Sequence, residues 1–219
     1  PFTALVLCDG VSSSTDGGFA SRIGCAAAEE YFRHPEQGVS PEESVRVAIL
    51  HAHEAVCRES PALGRDAMPG STIVVAYIEG ADACVAWAGD SRAYVVGAAR
   101  ADLLTKDHSW ANEIIEAGGL EEADAFAQPM ALALTRFIGP LDGSLPPLEP
   151  SVARTTLAAG DVLVLCSDGL WSYMASPQAM SAVVHRSGKG PVALARALVH
   201  EALVRGAHDN VSVAVYVAP

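Results

Sequence analysis

Apolar and polar positions recur with two different periods along the 219-residue chain. Thr3–Asp9 is a β-branched and apolar run closed by Asp9-Gly10 and then by serines, the pattern of a buried strand with a loop behind it. From Gly17 to Arg33 the spacing changes to three and four, with Phe19, Ile23, Ala26, Ala27 and Tyr31 recurring, which predicts a helix. The next helix is bounded more sharply. Ser40 can act as N-cap, Pro41 suits the first helical position and Glu43 closes a capping box. Its apolar face is Val45, Ala48, Ile49, Ala52 and Val56, running to about Glu59.

Period-two patterning returns in Ser71–Glu79, Ala83–Ala88 and Arg92–Val96. Their short connections, Glu79-Gly80-Ala81-Asp82 and Gly89-Asp90-Ser91, predict an antiparallel meander with Asp90 in a hairpin turn. Asp107–Ala117 reads as a helix with Trp110, Ile114 and Ile115 inward and Gly118-Gly119 as its stop. Residues 120–150 are less regular, with one apolar run at Ala131–Ile138. Strands are expected at Val152–Leu157 and Val162–Cys166, helices from Ser176-Pro177 to about Ser187 and over Pro191–Arg205, and a closing strand at Val211–Val217. Antiparallel blocks of strands separated by helix pairs imply an α+β class, with helices covering the outside of sheets. There is no internal repeat and no long linker, so residues 1–219 read as a single domain.

Composition narrows the partners. Fourteen Lys and Arg against 26 Asp and Glu leave a net charge of −12, which argues against a nucleic-acid backbone and fits a protein that collects cations. Half the chain is hydrophobic and 18% is charged, which excludes general disorder. No apolar stretch approaches the ~18 residues of a membrane span, so no membrane partner is expected. Five cysteines, Cys8, Cys25, Cys57, Cys84 and Cys166, are scattered without a C-x-x-C pair, several inside apolar runs. They read as free thiols in a reducing, cytoplasmic compartment, with neither a disulfide framework nor a zinc site. Pro1 runs straight into strand-like sequence with no signal peptide, which reads as a segment of a longer chain.

The candidate chemistry lies in the acidic residues at strand ends. Asp9 closes the first strand, Asp168 follows Val162–Cys166 after one serine, and Asp209 precedes the last strand. If that last strand is antiparallel to the other two, all three carboxylates meet at one sheet edge. Carboxylates gathered without a matching set of Lys or Arg cannot all stay ionised unless a cation joins them, and oxygen-only ligation points to magnesium or manganese. Taken singly each signal is weak, since Asp-Gly is a common turn dipeptide.

In order, the motifs are Leu7-Cys8-Asp9-Gly10-Val11, Gly70-Ser71-Thr72, Gly89-Asp90-Ser91-Arg92-Ala93-Tyr94, Leu104-Thr105-Lys106-Asp107-His108-Ser109, Leu134-Thr135-Arg136-Phe137-Ile138-Gly139, Cys166-Ser167-Asp168-Gly169-Leu170 and Asp209-Asn210-Val211-Ser212-Val213. This series, spanning nearly the whole chain, resembles the metal-dependent protein phosphatases, the type 2C Ser/Thr phosphatases, in a bacterial form. The resemblance implies an antiparallel β-sandwich flanked by helix pairs, an α-β-β-α arrangement of four layers. It also implies hydrolysis of phosphoserine and phosphothreonine in proteins phosphorylated by a Ser/Thr kinase, by a monomer.

By the same resemblance Asp9, Asp168 and Asp209 are the catalytic ligands of two Mn²⁺ or Mg²⁺ ions. Gly10 adds its carbonyl and Asp90 holds a third, weaker ion. A water shared by the two main ions attacks phosphorus in line, with no covalent enzyme intermediate, so Cys8 and Cys166 read as core. The family's opening strands, with a phosphate-gripping Arg and an Asn-Glu-Asp stretch, have no counterpart here. Arg22 and Arg136 are the nearest substitutes by type, though ion pairing is the plainer role for each. Val11 stands where many eukaryotic members place a proton-donating His, leaving that task to water. His108 reads as structural, and His208, beside Asp209, as a neighbour of the ligands. Glu121, Glu122 and Asp124 are expected on a mobile flap that favours substrates with nearby Lys or Arg, or else on a plain solvated loop.

A pseudophosphatase or regulatory binding domain that keeps the fold is the alternative. The retained aspartates speak against it and the absent opening strands for it. A haloacid-dehalogenase-type phosphatase is excluded, because it needs an Asp at position 7, which is Leu7, and a parallel sheet.

Overall fold

The computed structural model describes residues 1–36, 38–64, 66–141, 145–188 and 190–219. Among these residues eight strands form two four-stranded antiparallel sheets. The first sheet has the order β1-β2-β3-β6, from β1 (Thr3–Gly10), β2 (Ser71–Glu79), β3 (Asp82–Ala88) and β6 (Ser151–Thr156). The second has the order β5-β4-β7-β8, from β4 (Arg92–Val96), β5 (Ala101–Leu103), β7 (Val162–Cys166) and β8 (Val213–Val217).

Alternation along the strands builds three apolar layers. Ile73 and Val75 on β2 face one way and pack on α1 (Gly17–Arg33) and α2 (Pro41–Glu59), against Ala20, Ala28, Val45, Ile49 and Val56. Val74 and Ala76 face the other way and meet Val85, Ala93, Val95, Leu163 and Leu165 between the sheets. Tyr94, Val96 and Val164 point outward from the second sheet onto α6 (Pro177–Arg186) and α7 (Pro191–Val204), against Met180, Leu194 and Leu198. The central strands are covered on both faces, which is why β2 and β7 read as unbroken apolar runs. The expected four-layer α-β-β-α sandwich is therefore present.

Capping chemistry sets the long helices. Asp16 accepts from the Phe19 N–H at 2.8 Å and Ser40 from the Glu43 N–H at 3.2 Å, starting α1 and α2 where the sequence places them.

Four expectations are corrected. The strands β2, β3 and β4 do not form one meander, because β4 lies in the second sheet. Gly89-Asp90-Ser91 is thus a crossing between sheets and not a hairpin turn. The three carboxylate-bearing strands likewise do not share a sheet: β1 belongs to the first, β7 and β8 to the second. The helix expected from Asp107 begins at Trp110 as α3 (Trp110–Glu116), since Ser109 caps it and the Asp107 carboxylate is bound to Arg92. β8 starts at Val213, two residues late, because Ser212 is tied to Ser167 through N–H to Oγ at 3.1 Å. Two short helices, α4 (Glu122–Phe126) and α5 (Asp168–Trp171), had no clear sequence signal. Among the described residues no helix is long and apolar enough to cross a membrane.

Candidate functional site

The C-terminal ends of β1, β3 and β7, the start of α5 and the loop before β8 open at the same end of the sandwich. They line a cleft of about 1300 Å³ that contains Asp9, Gly10, Asp90, Asp168 and Asp209. All five residues singled out in the sequence are brought together, across the facing ends of two sheets instead of along one edge. Asp107 lines the same cleft, and no Lys, Arg or His does so among the described residues.

Each carboxylate has its own mount. Asp9 sits opposite Thr72 in the β1–β2 ladder, and the Ser71 hydroxyl donates to its carbonyl at 2.8 Å. Asp168 opens α5. A Cβ on the next residue, Gly169, would fall 2.9 Å from the carbonyl carbon of Asn210, so only glycine lets α5 lie this close to the loop carrying Asp209.

Asp90 is held through the backbone of its turn. His108 donates its N–H to the Gly89 carbonyl at 3.0 Å and accepts the Gly89 N–H on Nδ1 at 3.1 Å. Trp171 donates Nε1–H to the Asp90 carbonyl at 2.8 Å, and the Ser91 and Thr72 hydroxyls pair at 2.7 Å. Behind this, Arg92 grips Asp107 with two bonds of 2.8 and 2.7 Å and lies 3.7 Å from the centre of the Trp171 ring.

The electrostatics follow from that packing. Burial first and the adjacent Asp168 second push Asp9 up to about 7, with a hydrogen bond to Asp168 and the charges of Asp90 and Asp209 adding to the effect. Burial and Asp168 likewise push Asp90 up to about 7. These buried oxygens compete for protons, and among the described residues no cationic side chain lines the cleft beside them. As placed, no three acidic side chains among the described residues converge closely enough to ligate one ion unaided. An all-oxygen set this rich in unneutralised charge still suits hard divalent cations that keep several waters. It does not suit a bare anion.

The remaining candidates have other partners. Arg136 hydrogen-bonds the Glu149 carbonyl at 3.2 Å and faces Glu113 at 3.6 Å, and neither it nor Arg22 lines the cleft. His108 is buried, stacks on Trp87 and is pushed down to about 4 by burial and then by Arg136, which agrees with a structural role. His208 meets the Tyr173 hydroxyl at 3.0 Å. Cys166 is fully buried and its thiol is raised by that burial, while Cys8 is raised well above its usual range, first by its hydrogen bond with Cys25. Glu121, Glu122 and Asp124 are exposed and stand outside the cleft lining, which on the flap side is formed by Leu132, Ala133 and Leu134. Trp171 and Arg92 were missed as supports of the site. The available signals were an indole three residues after Asp168 and an Arg two residues after Asp90.

Comparison with known proteins bears on the family and the fold. The profile described as Protein phosphatase 2C matches residues 25–211. The chain is 33% identical to probable protein phosphatase 2C 74 of Oryza sativa subsp. japonica, covering 90% of this chain but 52% of the rice protein, about half its length. It is 29% identical to protein phosphatase PhpP of Streptococcus pneumoniae, over 97% of this chain and 84% of PhpP. Among solved structures, the serine/threonine phosphatase of S. agalactiae superposes with a TM-score of 0.79 at 31% identity, covering 99% of this chain and 88% of that one. The catalytic domain of the phosphatase PstP, solved with two manganese ions, shares the fold with a TM-score of 0.75 at 24% identity, over 99% and 88% of the two chains.

Proposed function

Because the chain belongs to the protein phosphatase 2C family, we propose that it hydrolyses phosphoserine and phosphothreonine in proteins, with divalent metal held by Asp9, the Gly10 carbonyl, Asp168 and Asp209. Asp90 is the ligand of a further, weaker ion. One observation carries this reading: five residues from four distant places in the sequence line one cleft whose lining is acidic and contains no Lys or Arg among the described residues. A phosphate dianion cannot enter such a cleft alone, so its charge has to be met by bound cations.

When bound, Mn²⁺ or Mg²⁺ supplies Lewis-acid neutralisation of the phosphoryl oxygens and activation of water toward phosphorus. The chain's own part is to fix the ligands. The Ser71 bond to Asp9, the Trp171 and His108 bonds around Asp90 and the contact of Gly169 with Asn210 hold the carboxylates without rearrangement during the reaction. No histidine lines the cleft among the described residues, so the leaving oxygen takes its proton from solvent. Neither Cys8 nor Cys166 is needed as a nucleophile. The substrates are products of a Ser/Thr kinase, met in a reducing, cytoplasmic setting.

The test is hydrolysis of a phosphothreonine peptide. Phosphate release should require Mn²⁺ or Mg²⁺, stop in EDTA and return on re-addition of metal. Release that persists in EDTA would contradict the proposal.

A further inference from the structure

The lining of the cleft mixes polar and apolar residues. Ser12 through Thr15 are polar, with Thr15 hydrogen-bonded to the Met68 backbone, whereas Leu132, Ala133, Leu134 and Phe137 line the cleft as an apolar wall. Leu132 is 70% exposed, and nearby Met130 and Phe126 are 52% and 45% exposed. Isolated exposed apolar side chains need no explanation, and Met130 and Phe126 stand outside the lining, but Leu132 continues into Ala133, Leu134 and Phe137 along the cleft, where an apolar group marks a contact surface.

The backbone under Leu132 is tied down. The Trp110 N–H donates to the Ala133 carbonyl at 2.9 Å, the Ala111 N–H to the Ala131 carbonyl at 3.0 Å, and the Thr135 N–H to the His108 carbonyl at 3.0 Å. Ala131 points inward and is 5% exposed, packing with Ala111 and Ala125, which leaves Leu132 turned out. Phe137 rests against Gly70, where a Cβ would come within 3.1 Å of its ring. The apolar wall is therefore part of the folded frame.

We infer that this wall is a subsite for an apolar side chain within three positions of the phosphorylated residue in the substrate. The inference rests on the proposed phosphatase reading, which puts the phosphoryl group at the carboxylate rim. An extended substrate advances about 3.3 Å per residue, so the nearest neighbours of the phosphorylated residue lie within the same cleft, in reach of this wall. The Ser14 and Thr15 hydroxyls are taken up by Val11 and Met68, and the wall around Leu132 gains only by covering apolar surface. Glu121, Glu122 and Asp124 stand outside the lining, so apolar contact, and not attraction of Lys or Arg by those residues, sets the preference on this side.

The experiment uses the intact chain with Mn²⁺ and a set of phosphothreonine peptides. Leucine or serine is placed in turn at each of the three positions on either side of the phosphothreonine, on a Gly/Ser background. At one or more positions leucine should raise kcat/KM about tenfold over serine, as expected for an apolar side chain entering an apolar pocket. In Leu132→Ser that ratio should fall toward one. The ratio is internal to each enzyme, so a change in overall activity does not affect the reading. Leu132→Glu, at the same exposed position, serves as the second variant and should lower the ratio further. Ratios near one in the wild type, or equal in wild type and both variants, overturn the inference. Sedimentation that shows wild-type dimers and monomeric Leu132→Ser also overturns it, by assigning the wall to a second copy. Hydrolysis of p-nitrophenyl phosphate by the wild type separates the two levels. Its absence removes the phosphatase reading itself, whereas its presence with ratios near one removes only the subsite.

Discussion

Gly89→Ala tests whether the rim depends on the crossing between the sheets. Gly89 has φ +112°, a region costly for any residue with a Cβ, and an added Cβ would lie 2.6 Å from Cβ and 2.7 Å from Cγ2 of Thr72. Ordinary contact begins near 3.4 Å, so the two groups must part by at least 3.4 − 2.6 = 0.8 Å. Thr72 is 3% exposed, lies inside β2 and pairs with the Ser91 hydroxyl at 2.7 Å, so it has little room to retreat. The turn must move instead, taking Asp90 with it and stretching the bonds from His108 and Trp171. Misplacement by about 1 Å costs on the order of 10² in rate. Overpacking adds about 1–3 kcal/mol of instability and the strained φ about 1 kcal/mol more. The assay is kcat on a phosphothreonine peptide across a Mn²⁺ titration, with urea unfolding alongside. Gly160→Ala is the control: its φ is +83° and no atom lies within 4 Å of the added Cβ, so it carries the backbone strain without the clash. It lies in the turn before β7, at the opposite end of the second sheet from the cleft. If Gly89→Ala keeps kcat and the Mn²⁺ midpoint within twofold of wild type, or loses no more stability than Gly160→Ala, the reasoning is wrong.

Three further outcomes are expected. His108 is held down to about 4 from an ordinary 6.5, so below pH 6.5 the unfolded chain takes up a proton that the folded chain refuses. Stability is therefore lost as pH falls from 6.5 to 4, by about 3 kcal/mol at 1.36 kcal/mol per unit, and urea unfolding should show a shallower acid-side loss in His108→Gln. Equal slopes would refute this. Asp9 and Asp90 act with the opposite sign in the same window: held up to about 7 from 3.8, they contribute stability below pH 4 that is lost as pH rises through 7. Added Mn²⁺ should hence raise Tm more at pH 7.5 than at pH 5, and an equal gain would count against the carboxylate cluster as its binding place. Changing Glu121, Glu122 and Asp124 to the amides should leave the kcat/KM ratio of basic-flanked to acidic-flanked peptides within twofold, and a larger change would show that the flap selects by charge.

Much of this was legible in local sequence. Asp16 and Ser40 fix the starts of α1 and α2, and the buried face of α2 contains the expected Val45, Ala48, Ile49, Ala52 and Val56, joined by Ser44 and Ala55. The positions of Asp9, Asp90, Asp168 and Asp209 beside element ends were also plain, since the first three close apolar runs and Asp209 stands just before one. Which sheet a strand joins was not. Gly89-Asp90-Ser91 has the local chemistry of a hairpin turn, and only the pairing of β3 with β6 and of β4 with β7, more than 60 residues away, turns it into a crossing. The start of α3 was misplaced for a similar reason, because the Asp107 carboxylate is claimed by Arg92 from another element. Trp171 escaped notice because its hydrogen bond to Asp90 joins residues 81 apart.

The central claim is that the carboxylates of the cleft hold divalent metal, and titration calorimetry with Mn²⁺ tests it most directly. The intact protein, freed of metal and titrated at pH 7.5, should bind Mn²⁺ with a stoichiometry of two or more. Asp9→Asn, which keeps the size of the side chain and removes one charge from the centre of the cluster, should lose the main sites while unfolding at a Tm no lower than that of the metal-free wild type. Unchanged Mn²⁺ affinity in Asp9→Asn would contradict the account.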